Sequence, residues 1–202
     1  MDVLASPGIA RARVRVRRMI VASARAALAL WVALLVAASG TASAQDLSAR
    51  HSDLEAVFLF HFTQFVEWPS DAFATTNSPI VIGILGDHPV KPALLDVIQG
   101  EKVRGRELVV RTFRHPDEVR QCHVLFLGYG EGASAPRAIA RLRGQPILLV
   151  SEIEGFAQRG GMIEFMTDRK RIKLRVNVEN ARAANLVISS KLLRVAEVLP
   201  KP

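Results

Sequence analysis

The run Pro79-Ile-Val-Ile-Gly-Ile-Leu-Gly86 constrains the fold more than any other stretch of this chain. Its β-branched residues favour extended backbone, and no polar residue interrupts them, so neither face of the strand is suited to water. A strand of that kind belongs inside a parallel sheet with helices above and below. The residues that follow repeat the unit. Asp87-His88-Pro89 is a turn, and Val90 to Ile98 reads as a helix closed by Gly100. Leu108 to Phe113, His123 to Gly128 and Pro146 to Ser151 are three further strands, spaced by a helical turn from Pro116 to Val119 and a helix from Pro136 to Leu142. Met162 to Thr167 and Arg171 to Asn177 then alternate apolar and polar residues around Asp168-Arg169-Lys170, the pattern of an antiparallel hairpin. Val178 to Val198 reads as two helices. The expectation is an α/β fold: a mixed sheet of about six strands, four parallel plus a C-terminal antiparallel hairpin, with helices on both faces.

Ahead of the first strand, Phe58-Leu-Phe-His-Phe-Thr-Gln-Phe-Val-Glu-Trp-Pro69 holds five of the twelve aromatic residues. Leu54, Val57, Phe58, His61, Phe65 and Trp68 recur at helical spacing, and Leu59, Phe62 and Val66 form a second stripe. Ser52 and Glu55 have the spacing of a capping box, and Pro69 bars continuation. A helix apolar on two faces must be covered on both, by its own domain or by a partner.

Residues 1–44 read as a signal peptide rather than part of the fold. Six arginines precede an apolar run from Ala26 to Ala38, and Ala42-Ser43-Ala44 offers a small-residue cleavage site before Gln45. That run of 13 residues is shorter than the roughly 20 a bilayer-spanning helix needs. No cysteine is near the site, so the reading is a periplasmic protein without a lipid anchor. The remainder, residues 45–202, makes one domain. The chain carries 27 basic and 19 acidic residues, but 21 and 18 once the leader is removed, which withdraws the case for nucleic-acid binding. Cys122 alone cannot form an internal disulfide, and its place beside an apolar run indicates a buried, inert thiol.

Chemistry-bearing patterns are sparse. No two histidines stand at a metal-ligand spacing, and there is no G-x-S-x-G elbow or S-x-x-K pair, so no catalytic residue, metal or cofactor is expected. Asp87 and His88 follow the first strand, at the sheet edge where open α/β sheets bind ligands, and suit a small anion at a helix N-terminus. A tight turn explains the same two residues. Arg169, Lys170, Arg171, Lys173 and Arg175 place five cations in seven positions. Lys173 and Arg175 fall on the same strand face beside Glu164, so the run is either a solvated edge or a docking surface for an acidic partner. Gly160-Gly161 directly before a strand indicates positive φ or a close backbone approach.

Seven short blocks occur in order: Phe65-Val-Glu-Trp-Pro69, Ile84-Leu-Gly-Asp87, Cys122-His-Val-Leu-Phe126, Val150-Ser-Glu-Ile-Glu-Gly-Phe156, Ala157-Gln-Arg-Gly-Gly-Met-Ile-Glu-Phe165, Val176-Asn177 and Ile188-Ser-Ser-Lys-Leu-Leu193. Together they resemble the YfiR family of exported bacterial regulatory proteins across residues 52–198. The resemblance implies a compact, non-catalytic periplasmic domain. It would bind the periplasmic region of an inner-membrane diguanylate cyclase, or of a sensor kinase, and by repressing a cyclase lower cyclic di-GMP and biofilm formation. It implies partner-binding residues in the hairpin, here Ile163, Phe165, Lys173 and Arg175, and leaves a homodimer open. Phe65, Glu67, Trp68, Pro69, Gly160, Gly161 and Asn177 carry the family signature in a structural capacity. Arg175 stands where the family often has an acidic residue. A periplasmic small-ligand carrier with its site at Asp87 and His88 is the alternative.

Overall fold

The computed structural model describes residues 50–168 and 171–200. The expected leader lies outside them, as do Arg169 and Lys170 of the basic run. A first helix, α1, is described over residues 50–65. It is followed by β1 (Val66–Glu67), β2 (Ile80–Leu85), α2 (Val90–Ile98), β3 (Lys102–Val103), β4 (Arg106–Phe113), β5 (Val124–Leu127), α3 (Ala135–Leu142) and β6 (Leu148–Ser151). The C-terminal part adds β7 (Ile163–Asp168), β8 (Arg171–Val176), α4 (Val178–Ala183), β9 (Val187–Ile188), α5 (Ser190–Leu193) and β10 (Ala196–Val198). Among the described residues no helix is long and apolar enough to cross a membrane.

The main sheet runs β10-β8-β7-β6-β5-β2-β4-β3. The expected parallel strands are all present, with β2 between β4 and β5 and with β6 and β7 continuing the parallel run. Every residue of β2 is buried, as its unbroken β-branched run requires. The α2 connection moves from β2 toward one edge, whereas α3 moves from β5 to β6 toward the other. Right-handed crossovers in opposite directions place these helices on opposite faces and leave a crevice where the order reverses, between β2 and β5. Gly83 is needed for close packing inside β2: a Cβ there would lie 2.7 Å from Cys122 Sγ and 2.8 Å from the Phe113 ring. Cys122 is buried, and its thiol is pushed up to about 12 by that burial, in keeping with an inert core residue.

The aromatic helix covers the face carrying Phe126 and Phe165. Phe58 and Phe62 stack 6.3 Å apart and meet Phe165 at 5.9 and 5.8 Å, and Phe165 meets Phe126 edge-on at 6.1 Å. Each such pair adds about 0.5–1.5 kcal/mol beyond the area it buries. The helix is not capped as its spacing suggests. Residues 50 and 51 are already helical, so Ser52 sits inside the helix and Glu55 is freed from reaching back to it. Nor does it run to Pro69. Val66 and Glu67 are extended and pair with Ile188 and Val187, making a separate two-stranded sheet from β1 and β9.

The strand count is larger than six because of short edge elements. Lys102–Val103 turns back on β4 through Arg104 and Gly105, with φ of 51° and 78°, the positive values a two-residue hairpin demands. Ala196–Val198, expected in a helix, pairs parallel with Leu174–Val176 instead. The β7–β8 hairpin is therefore not the edge of the sheet; β10 covers it.

Candidate functional site

The loops after β2, β5 and β6 emerge at the carboxyl ends of the strands and bring His88, Tyr129 and Glu152 together around the crevice. Gly128 makes the approach possible: a Cβ there would stand 2.4 Å from His88 Cδ2 and 3.3 Å from Glu152 Oε1. The His88 ring lies edge-on to Phe126, with centroids 5.0 Å apart. From the opposite side α1 supplies His51 and Glu55, one helical turn apart.

Hydrogen bonds fix the orientation of Glu152. The Val90 amide donates to His88 Nδ1 at 3.2 Å, which places the ring proton on Nε2, and that N–H donates to Glu152 Oε1 at 3.1 Å. The Tyr129 amide donates to the same oxygen at 2.8 Å. Burial alone would raise the Glu152 carboxyl, but these bonds outweigh it and hold it below the usual carboxylate value. Its second oxygen, Oε2, lies 3.8 Å from His51 Nε2.

Glu55 is the opposite case. The residue is 0 % exposed, neither carboxyl oxygen accepts a hydrogen bond, and His51 Nε2 is 3.4 Å from Oε1. Burial, with the Glu152 charge added to it, pushes Glu55 up to about 9. His51, Glu55 and Glu152 thus offer one imidazole nitrogen and two carboxylate oxygens, all within 4.8 Å of one another.

Beside this cluster a cleft of about 360 Å³ opens between Tyr129 and the hairpin, lined by Glu152, Glu154, Glu164, Met166 and Arg175. Glu164 is buried at its floor and accepts from the amides of Gly155 and Ala157 at 3.0 and 3.1 Å and from Arg175 Nη1 at 3.4 Å. Arg175 also donates through Nε to Glu197 at 2.9 Å. Glu164 pairs with Arg175 across the strands, on the shared face that the alternation implies, with Asp168 opposite Arg171 rather than in the turn.

The hairpin residues divide into two groups. Ile163 and Phe165 are 0 % and 3 % exposed and belong to the core, so they shape the hairpin rather than present a surface. Lys173 is exposed and pairs with Asp168, and Arg175 is half-buried. At the strand edge, His88 enters the cluster while its neighbour Asp87 is exposed. The signature residues hold local structure. Trp68 Nε1 donates to the His123 carbonyl at 3.1 Å, the Phe65 carbonyl accepts from Ser189, and Glu67 faces Arg104 at 3.7 Å. Pro69 precedes a short turn of helix at Ser70–Ala72. Asn177 caps α4 by accepting from the Asn180 amide and donates to the Ala157 carbonyl. Gly160 has φ of 114°, and a Cβ on Gly161 would lie 2.2 Å from the Phe156 ring, so the pair meets both demands expected of it.

Sequence reasoning did not assemble His51, Glu55 and Glu152. The available signal was His51-x₃-Glu55 on a helix, a spacing that puts both side chains on one face. The spacing to Ser52 reads Glu55 as part of a cap, and Glu152 lies far along the chain in a family block that gives no ligand spacing.

A family model described as YfiR/HmsC-like matches residues 52–197. No curated protein matches the chain. Among solved structures, a conserved domain protein from Vibrio cholerae is similar at 12 % identity with a TM-score of 0.43. That match covers 58 % of this chain and 54 % of the other, so the chain spans about half the length of that structure.

Proposed function

The chain belongs to the YfiR/HmsC-like family, and from that premise we propose that it is a non-catalytic periplasmic protein that binds the periplasmic region of an inner-membrane diguanylate cyclase and represses it. The observation that carries this reading is the family match over residues 52–197, in a family of periplasmic regulators rather than catalysts. The leader motif of residues 1–44 supports export, and cleavage near Gln45 belongs to the same proposal.

The exposed features suit a protein partner. Leu54 and Val57 on α1 and Tyr129 at the mouth of the cleft are exposed apolar or aromatic side chains close to the carboxyl edge. Lys173 is the exposed cation of the hairpin, beside the half-buried Arg175 held by Glu164 and Glu197, and rim charges act mainly on association rate and salt dependence. Ile163 and Phe165 contribute by holding that hairpin in place. The small-ligand alternative at Asp87 and His88 has weaker support, because both His88 nitrogens are already engaged within the protein.

The reading is tested by crosslinking the tagged protein in intact cells and identifying what it captures. A diguanylate cyclase with a periplasmic region, lost when Lys173 is changed to Glu, is the expected result. Recovery of no membrane signalling enzyme, with the tagged protein abundant in the envelope, contradicts it.

A further inference from the structure

We propose that His51, Glu55 and Glu152 form a binding site for one divalent transition-metal ion of the zinc class at the carboxyl edge of the sheet. The proposal goes beyond the regulatory reading and does not depend on it.

Three independent observations converge. The first is ligand type and spacing. His51 Nε2 stands 3.4 Å from Glu55 Oε1 and 3.8 Å from Glu152 Oε2. Four ligands at the Zn–N and Zn–O bond lengths of about 2.0–2.2 Å lie roughly 3.3–3.6 Å apart at the corners of a tetrahedron. Small side-chain movements bring the three atoms onto such corners. The second is the surroundings of Glu55: a fully buried carboxyl group to which no backbone or side-chain N–H donates, its one close polar neighbour besides His51 being the Glu152 carboxyl. A dication between them would offset the burial of both carboxyl groups. The third is the support behind Glu152. His88 Nε2–H and the Tyr129 amide both hold Oε1, so the carboxylate is fixed with Oε2 left for a ligand role. Metal sites are commonly built this way, with hydrogen bonds orienting the ligating group from behind.

The donor set selects the ion. One imidazole and two carboxylates with a fourth position left to water match zinc, whereas calcium takes six to eight oxygens and magnesium prefers an octahedral, largely hydrated shell. His51 is 31 % exposed and provides the entry route.

The test is zinc titration by calorimetry of the protein purified as the cell delivers it and stripped with EDTA, with thermal unfolding followed in parallel. The wild type is expected to bind one equivalent of Zn²⁺ and to melt at higher temperature with it, while Mg²⁺ and Ca²⁺ give no comparable shift. His51→Ala and Glu55→Gln should each weaken binding at least tenfold, and His88→Gln should weaken it about 10–100-fold by releasing Glu152. His61→Ala and His115→Ala, at histidines outside the cluster, should leave it unchanged. Glu55→Gln is isosteric and His51 lies near the surface, and circular dichroism of each variant confirms that it folds. Absence of zinc binding by the wild type, or binding unchanged by both His51→Ala and Glu55→Gln, overturns the proposal.

Discussion

Two buried glutamates at the same end of the sheet have opposite surroundings. Glu164, on the hairpin, is 1 % exposed and its carboxylate takes two backbone amides and the Arg175 guanidinium. Glu55, on the aromatic helix, is equally buried and its oxygens accept nothing. The first arrangement is what a structural role requires: the cost of burial is offset by charge-assisted hydrogen bonds that lock the loop from Gly155 to Ala157 against β7. The second has the Glu152 carboxyl beside it but no amide or guanidinium donating to it. The fold thus surrounds one acid with donors and leaves the other without any at the same end of the sheet.

Substitutions separate the two regions. Phe165→Ala should have the largest effect, because this ring joins the hairpin to Phe62 and Phe126; a loss of about 3–5 kcal/mol is expected in urea denaturation. Glu164→Gln should cost about 3 kcal/mol by leaving Arg175 without its buried partner and weakening the amide contacts. A cost below about 1 kcal/mol would remove the structural half of the contrast.

His123 supplies a pH-dependent comparison. It is buried, its Nδ1 accepts from the Val81 amide at 3.0 Å, and burial, assisted by Arg106 and Arg111, lowers it to about 4 from 6.5. The folded protein holds this ring neutral while the unfolded chain protonates it below about 6.5. Its contribution is therefore complete above pH 6.5 and is lost as pH falls toward 4, amounting to about 3 kcal/mol at most. Denaturation curves of wild type and His123→Gln between these pH values should converge as acid is added.

Glu55→Gln, by contrast, should leave the metal-free protein at least as stable as wild type, since a neutral amide, which can still donate to Glu152, replaces a carboxyl group that receives no donor. A large destabilisation there would show that Glu55 is structural after all. Lys173→Glu is the smallest in stability, within about 1 kcal/mol, because an exposed pair such as Lys173–Asp168 contributes little. Its effect should appear in partner capture instead, as a loss of at least tenfold.

The main architecture was legible because β2, β5 and β6 are buried on both faces and so carry short apolar runs with little choice of environment. The hairpin was legible from alternation, which sets Lys173 and Arg175 on the face of Glu164; the pairing Glu164↔Arg175 itself depends on Asp168 joining the strand opposite Arg171. The elements that escaped are those that tertiary context creates. Ala196–Val198 has no strand pattern, and becomes one because β8 offers an open edge. Val66–Glu67 leaves the helix for a two-residue pairing with β9. The site was least legible, because its members come from α1 and from three separate loops. A spacing rule sees only residues close in sequence, and the burial that isolates Glu55 is a property of the folded chain.

The central claim, repression of a diguanylate cyclase from the periplasm, is tested most directly by measuring cyclic di-GMP in cells that lack this protein and in cells where it is restored. The account predicts a rise on deletion that wild-type protein reverses and the Lys173→Glu variant, present at equal abundance, does not. An unchanged cyclic di-GMP level on deletion, under conditions where the protein is produced and exported, contradicts it.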